Sequence, residues 1–272
     1  MIAVTQSTVD QEGYYQPRIG ELIISKYKVK DIAGKGVFAC VVRAEEVGEE
    51  KKEVAIKIMR TKMEVMRVSG FKELEIVKQL NSQDPYDRKH CIRLIDSFEF
   101  NKHLCLVYES MGLNLRETMN KFGRDIGLSM DGVILYGRQL FLALSLLHKN
   151  RFIHADLKPD NIMVSHDTRK IKLCDFGSCL TPEEVAQTET EHLVSPFYRA
   201  PEIILGCTPF ETAVDVWSAG VTLFEIFTGR FMFPGRSNNH LLKLIMQTKG
   251  KINHKLIKRG KFADKHFNLA TN

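Results

Sequence analysis

Near residue 110 the apolar pattern of this chain changes from strand-like to helix-like, and few architectures accommodate that order. Before the change, YKVKDIAG, FACVVRAEE and EVAIKIMR are short runs rich in β-branched and apolar residues. They are separated by Gly34, Gly36 and the polar GEEKKE, which predicts antiparallel strands with a hairpin. MEVMRVSGFKELEIVKQL follows with helical spacing at Phe71, Leu74, Val77 and Leu80, and CIRLIDSFEF and HLCLVYES read as two further strands. After it, LRETMNKF, DGVILYGRQLFLALSLLHKN and AVDVWSAGVTLFEIFTGR carry the helical period, with strand-like IMVS and IKLC between them. The expectation is an α+β chain of two lobes, a small antiparallel β lobe with one helix (27–110) and a larger α-helical lobe (111–272), joined near Glu109 to Gly112. Residues 1–26 form an N-terminal arm, either loosely ordered or laid along the domain. A ligand cleft between two lobes is the default expectation for such a chain.

The 272 residues, 44% of them hydrophobic, suffice for one large core or two smaller ones. No basic start with an apolar run opens the chain, and the sequence reading finds no apolar stretch near the roughly 18 residues of a membrane span. An intracellular protein without a membrane partner is therefore expected. The six cysteines form no CxxC pair and no metal-ligand spacing, which suggests reduced thiols, mostly as small core side chains. Of the 39 Lys/Arg and 33 Asp/Glu, seven bases and one acid lie from Lys249 onward, so the net charge of +6 belongs to the tail. A solvated surface segment is the favoured reading of that tail over an acidic or nucleic-acid partner.

Several short motifs carry chemistry. Gly34-Lys35-Gly36-Val37-Phe38-Ala39 sits between two expected strands, where glycine lets backbone N–H groups approach a phosphate. A glycine-containing hairpin turn explains it about equally well. Lys57, within Val54-Ala55-Ile56-Lys57, is either an edge-strand lysine reaching water or a phosphate anchor fixed by a carboxylate. On the next helix Glu73 shares a face with Ile76, Val77 and Leu80, whereas Glu75 shares one with Lys78 and Gln79, so Glu73 is the inward partner. The strongest signal is His154-Ala155-Asp156-Leu157-Lys158-Pro159-Asp160-Asn161, followed by Asp175-Phe176-Gly177. Asp156 suits acceptance of a hydroxyl proton, Lys158 a transferring phosphoryl group, and Asn161 and Asp175 a hard cation, Mg²⁺. Ala200-Pro201-Glu202 comes next, and Asp215 stands at an expected capping position of the following helix. The polar stretch between Phe176 and Ala200 reads as a loop that presents or gates substrate.

In this order, over residues 27–267, these motifs resemble a eukaryotic protein kinase. YRAPE, SMGLNLRE and FPGRSNNHLLKLIMQTKGK are similar to the CMGC group, closest to the pre-mRNA-processing factor four kinases and near the dual-specificity tyrosine-regulated kinases. The resemblance implies a two-lobed kinase fold using ATP and Mg²⁺ on protein Ser/Thr. It also implies splicing proteins as partners, a nuclear location and no direct contact with nucleic acid. By position, Ala33, Gly34, Lys35, Gly36, Val37, Phe38, Ala39, Cys40, Val41 and Lys57 would bind nucleotide, with Val41, Ala55 and Met163 around adenine. Tyr108 would be the gatekeeper and Glu109 to Met111 the hinge. Lys57, Glu73, Asp156 and Lys158 would be the catalytic set, and Leu94, Val77, His154 and Phe176 the regulatory spine.

The sequence also departs from that family. Ala155 replaces the usual arginine, His192 stands where relatives carry a regulatory tyrosine, and Pro196 replaces an arginine that binds its phosphate. Activity independent of tyrosine phosphorylation is expected, with Thr190 and Ser195 as candidate phosphosites. Relatives continue past HFNLATN with an arginine that pairs with the residue matching Glu202, so by resemblance the helical lobe is C-terminally truncated, or another group meets Glu202. A catalytically inactive kinase-fold binding or scaffold protein is the alternative; the intact ionic set favours the active enzyme. A small-molecule kinase is disfavoured by the long segment from Ser178 to Arg199, which suits an extended peptide.

Overall fold

The computed structural model describes residues 9–188 and 193–268, and the chain divides after Met111 into two compact units. Thr190 and His192 lie outside the described residues.

The first unit is a six-stranded antiparallel sheet, in the order β1 (Leu22–Ile23), β2 (Tyr27–Lys35), β3 (Ala39–Glu46), β4 (Glu53–Met59), β6 (His103–Glu109), β5 (Leu94–Phe100). Alternation along β4 buries Val54, Ile56 and Ile58 and turns Ala55 and Lys57 to the other face. One side of the sheet closes over Tyr27, Val42, Ile56 and Val107, and Tyr14, Tyr15 and Ile23 of the arm complete this core. The arm is thus laid along the sheet and contributes β1.

The helix α1 (Glu64–Gln83) follows β4 and buries Met66, Gly70, Glu73, Leu74, Val77 and Leu80. Phe71, expected on that face, is exposed; it lies one position beyond Gly70, about 100° around the helix. Gly70 faces the sheet so closely that a Cβ there would meet Met59 and Leu104 side-chain carbons at 3.0–3.2 Å. At the other end of α1, Arg93 Nη1 donates to the Asn81 and Asp84 carbonyls, each of which also accepts a backbone N–H.

The second unit is mainly helical. Helix α2 (Leu115–Phe122) opens with a capping box between Asn114 and Glu117, and α3 (Met130–Lys149) with a Ser129 cap. Contrary to the sequence reading, α3 is apolar and long enough to cross a membrane by length and composition. It buries Leu140, Ala143, Leu144 and Leu147 and packs on α6 (Ala213–Thr228) and β8 (Ile171–Leu173). The hairpin of β7 (Ile162–Val164) and β8 (Ile171–Leu173) is clamped to α3 by buried Gln139, whose Nε2 donates to the Arg169 carbonyl while its Oε1 accepts the Ile171 N–H.

The stretch from Phe176 to Ala200 is not all loop: Thr181 and Glu184 form a capping box that opens the short helix α4 (Pro182–Gln187). The pattern T-x-x-E carried that signal. Helices α5 (Pro201–Ile204), α7 (Asn238–Lys249) and α8 (His254–Arg259) complete the unit around Ile204, Leu205, Phe233, Leu241 and Ile245. All six cysteines are free, and five are buried.

Candidate active site

In the first unit β4 lies between β3 and β6, so Lys57 is on an interior strand and not on an edge. Its Nζ is 2.6 Å from Glu73 Oε2. Helical geometry selects this glutamate: Glu73 is 2% exposed on the face α1 turns to the sheet, while the Glu75 side chain is 77% exposed. Tyr108, opposite Ala55 in the β4–β6 register, donates its hydroxyl to Glu73 Oε1 at 2.8 Å. Both carboxylate oxygens thus have a donor, as a buried charge requires.

Two other features of this unit present free backbone donors. The β2–β3 hairpin closes with the Gly36 N–H on the Ala39 carbonyl, and neither the Val37 nor the Phe38 N–H has a partner among the described residues. At the end of β6 the Glu109 N–H is used by the Arg93 carbonyl, whereas that of Met111 has no partner among the described residues. Cys40, at the hairpin's base, is buried, and burial raises its thiol pKa, which keeps it protonated.

In the second unit the segment from Ile153 to Asn161 folds around Asp215. This residue lies inside the first turn of α6, whose N-cap is Thr212, so the capping role expected of it is not the one it has. Its buried carboxylate instead accepts the N–H of His154 at 2.8 Å and of Ala155 at 3.1 Å, and contacts His148 Nε2 at 2.9 Å. Ala155 has φ of 60°, a left-handed conformation costly to a residue with a Cβ, and the Asp215 bond holds it there. His154 Nδ1 accepts the Asp156 N–H, so the ring proton sits on Nε2 and is donated to the Cys174 carbonyl at 3.1 Å. The same ring meets Phe176 edge-on, centroids 5.8 Å apart.

This frame presents Asp156. Lys158 Nζ lies 2.7 Å from Asp156 Oδ2, Asn161 Nδ2 donates to the same oxygen at 3.1 Å and to the Asp156 carbonyl at 2.8 Å, and Ser195 Oγ donates to Oδ1 at 2.7 Å. Lys158 also donates to Ser195 Oγ at 3.0 Å, which closes a ring of three side chains. With its amide nitrogen committed, Asn161 has Oδ1 without a partner among the described residues, an oxygen suited to a hard cation. Asp175 is half-buried and left-handed, φ 64°, at the turn that opens Phe176-Gly177-Ser178.

The family profile described as Protein kinase domain matches residues 27–269. This chain belongs to the protein kinase domain family. It is similar to "Serine/threonine-protein kinase prp4" of Schizosaccharomyces pombe, 43% identical over 97% of this chain and 54% of that protein. It is also similar to "Serine/threonine-protein kinase prpf4B" of Dictyostelium discoideum, 43% identical over 95% of this chain and 31% of that protein. "Dual specificity tyrosine-phosphorylation-regulated kinase 3" of Rattus norvegicus is 34% identical over 93% of this chain and 42% of that protein. The kinase chain therefore spans between 31% and 54% of the length of these relatives.

Within this kinase domain, sequence reasoning missed two groups. Ser195 was legible only as a phosphosite, because nothing in its local sequence reports that it reaches Asp156. Arg116 of α2 pairs with Glu225 of α6, reaches Asp160 Oδ2 at 3.2 Å and donates to the Tyr198 hydroxyl, tying three segments around the Asp156 loop. Burial, and then the Glu225 carboxylate, push the Tyr198 phenol up from its ordinary pKa.

Proposed function

We propose that this chain is an ATP-dependent serine/threonine protein kinase domain in which Asp156 is the base toward the substrate hydroxyl. The observation that carries the reading is the set of donors from Lys158, Asn161 and Ser195 on the Asp156 carboxylate, which orients an acceptor for a proton while leaving it half-exposed. Lys57, held by Glu73, is the cation for nucleotide phosphates, with Ala33 to Val41 and Ala55 as the nucleotide-binding strands and the Met111 N–H as a donor to adenine. Met163 and Glu109 complete the nucleotide-binding set by position. Asn161 and Asp175 would hold Mg²⁺. When bound, Mg·ATP supplies the phosphoryl group and neutralises its charge. Lys158 steadies Asp156 and is placed to meet charge on the transferring group.

The resemblance to kinases of pre-mRNA processing supports nuclear, splicing-associated proteins as the substrates. Transfer of labelled phosphate to a basic protein, with Asp156→Asn as control, tests the enzyme reading; phosphoamino-acid analysis should return phosphoserine and phosphothreonine. Equal label from both proteins would leave a nucleotide- or partner-binding domain.

A further inference from the structure

The arm residues Asp10 to Gln16 are built onto the tip of the β2–β3 hairpin. Asp10 Oδ1 accepts the N–H groups of Glu12 and Tyr14, which folds the arm into a tight turn. Its Oδ2 accepts from Gln16 Nε2 at 2.8 Å and from Lys35 Nζ at 2.9 Å. Within that turn Gly13 has φ of +83°, and a Cβ there would meet the Lys62 backbone N at 2.5 Å, so only glycine lets the arm come this close to the end of β4. The Gly13 carbonyl accepts the Thr61 N–H, and Arg60 Nε donates to the Glu12 carbonyl.

The turn delivers Tyr14, 6% exposed, to the hairpin. Its hydroxyl donates to the Gly36 carbonyl at 2.8 Å and lies 3.3 Å from that of Val37. The Lys35 ammonium sits 3.9 Å and the Arg60 guanidinium 4.4 Å from the ring centroid, and Arg60 Nη1 also reaches the Val37 carbonyl at 3.3 Å. A trans peptide is planar, with its N–H opposed to its C=O. Holding the Gly36 and Val37 carbonyls toward Tyr14 therefore aims the Val37 and Phe38 N–H groups the opposite way, and these two amides of the tip have no partner among the described residues.

We infer that the Asp10–Gln16 turn is a strap that sets the peptide planes of the hairpin tip, with Tyr14 as the positioning residue that aims the Val37 and Phe38 amides at the phosphates of a nucleotide. The inference rests on the reading of residues 33–41 as the nucleotide-binding hairpin and adds what holds that hairpin in a binding geometry. The strap acts on phosphate and not on base, because the carbonyls it holds belong to the tip alone.

Calorimetric titration of the full chain with Mg·ATP and, separately, with adenosine tests it. Tyr14→Phe keeps the ring and removes the hydroxyl; Asp10→Ala loosens the turn from a half-buried position and serves if the core variant does not fold. Each should weaken Mg·ATP binding about threefold to tenfold, the range of one lost hydrogen bond, with adenosine affinity unchanged within twofold. Unchanged Mg·ATP affinity in both folded variants overturns the strap and leaves the kinase reading standing. Equal loss for Mg·ATP and adenosine also overturns it, since that marks general loosening of the sheet. A wild-type chain that binds no Mg·ATP overturns both readings together.

Discussion

Ser195 Oγ donates to Asp156 Oδ1 at 2.7 Å, across 39 residues of chain, and receives Lys158 Nζ on its own oxygen. The hydroxyl fixes the plane of the carboxylate and keeps the lysine beside it. Removing it leaves Oδ1 free to turn. Ser195→Ala is expected to lower kcat about 10-fold to 100-fold, a part of what a positioned base contributes, with KM for ATP little changed. Ser195→Thr should restore most of the loss. Ser195→Glu, which sets a like charge against Asp156, should be inactive. Steady-state phosphorylation of a peptide checks all three.

Tyr108 caps the second oxygen of Glu73, whose first is held by Lys57. Tyr108→Phe leaves a buried carboxylate oxygen without its donor, a cost of about 1–3 kcal/mol. The melting temperature should fall by about 2–12 °C while phosphoryl transfer survives, because the Lys57–Glu73 pair persists. Lys57→Met should abolish transfer. Differential scanning calorimetry alongside a transfer assay separates the two effects.

Asp215 gathers the N–H groups of His154 and Ala155 on one buried carboxylate. In Asp215→Asn one oxygen becomes an NH₂ group facing a donor, so a charge-assisted bond is replaced by a repulsive contact. The expected cost is about 2–3 kcal/mol, seen as a fall of about 4–12 °C in melting temperature. Activity should fall further than stability, since Ala155 at φ 60° adjoins Asp156.

Glu202 lines a small cavity with Cys207, Phe210, Lys261 and Phe262, and burial raises its carboxyl above the ordinary 4.5. The folded chain then binds more protons than the unfolded one between that ordinary value and the raised one. Stability falls as pH climbs through this window and levels off above it. Glu202→Gln should remove this decline and raise the melting temperature at neutral pH by ~2–4 °C for each kcal/mol recovered. Parallel melting curves of the two proteins from pH 4 to pH 8 would refute the assignment.

Much of the architecture was legible because its signals are local. Alternation in EVAIKIM and the helical face of α1 are set by which residues can be buried, and local period alone selects Glu73 over Glu75. The same rule misplaced Phe71, since a helical face is read to within one position only where every neighbour packs. Asp215 looked like a cap because an acid preceding an apolar helix usually is one; its bond to a loop 60 residues earlier left no trace in the local pattern.

By itself the amino-acid order determined most of the strands of the first unit, the main helices and the family, though not β1 or α4, because period, turn residues and motif spacing are properties of neighbours along the chain. Only the tertiary structure decided that Ser195 closes on Asp156, that Arg116 binds Glu225 and that Tyr14 holds the hairpin tip. Those contacts join residues 22 to 109 positions apart, and a hydrogen bond depends on where folding brings two atoms, which no short stretch of sequence records.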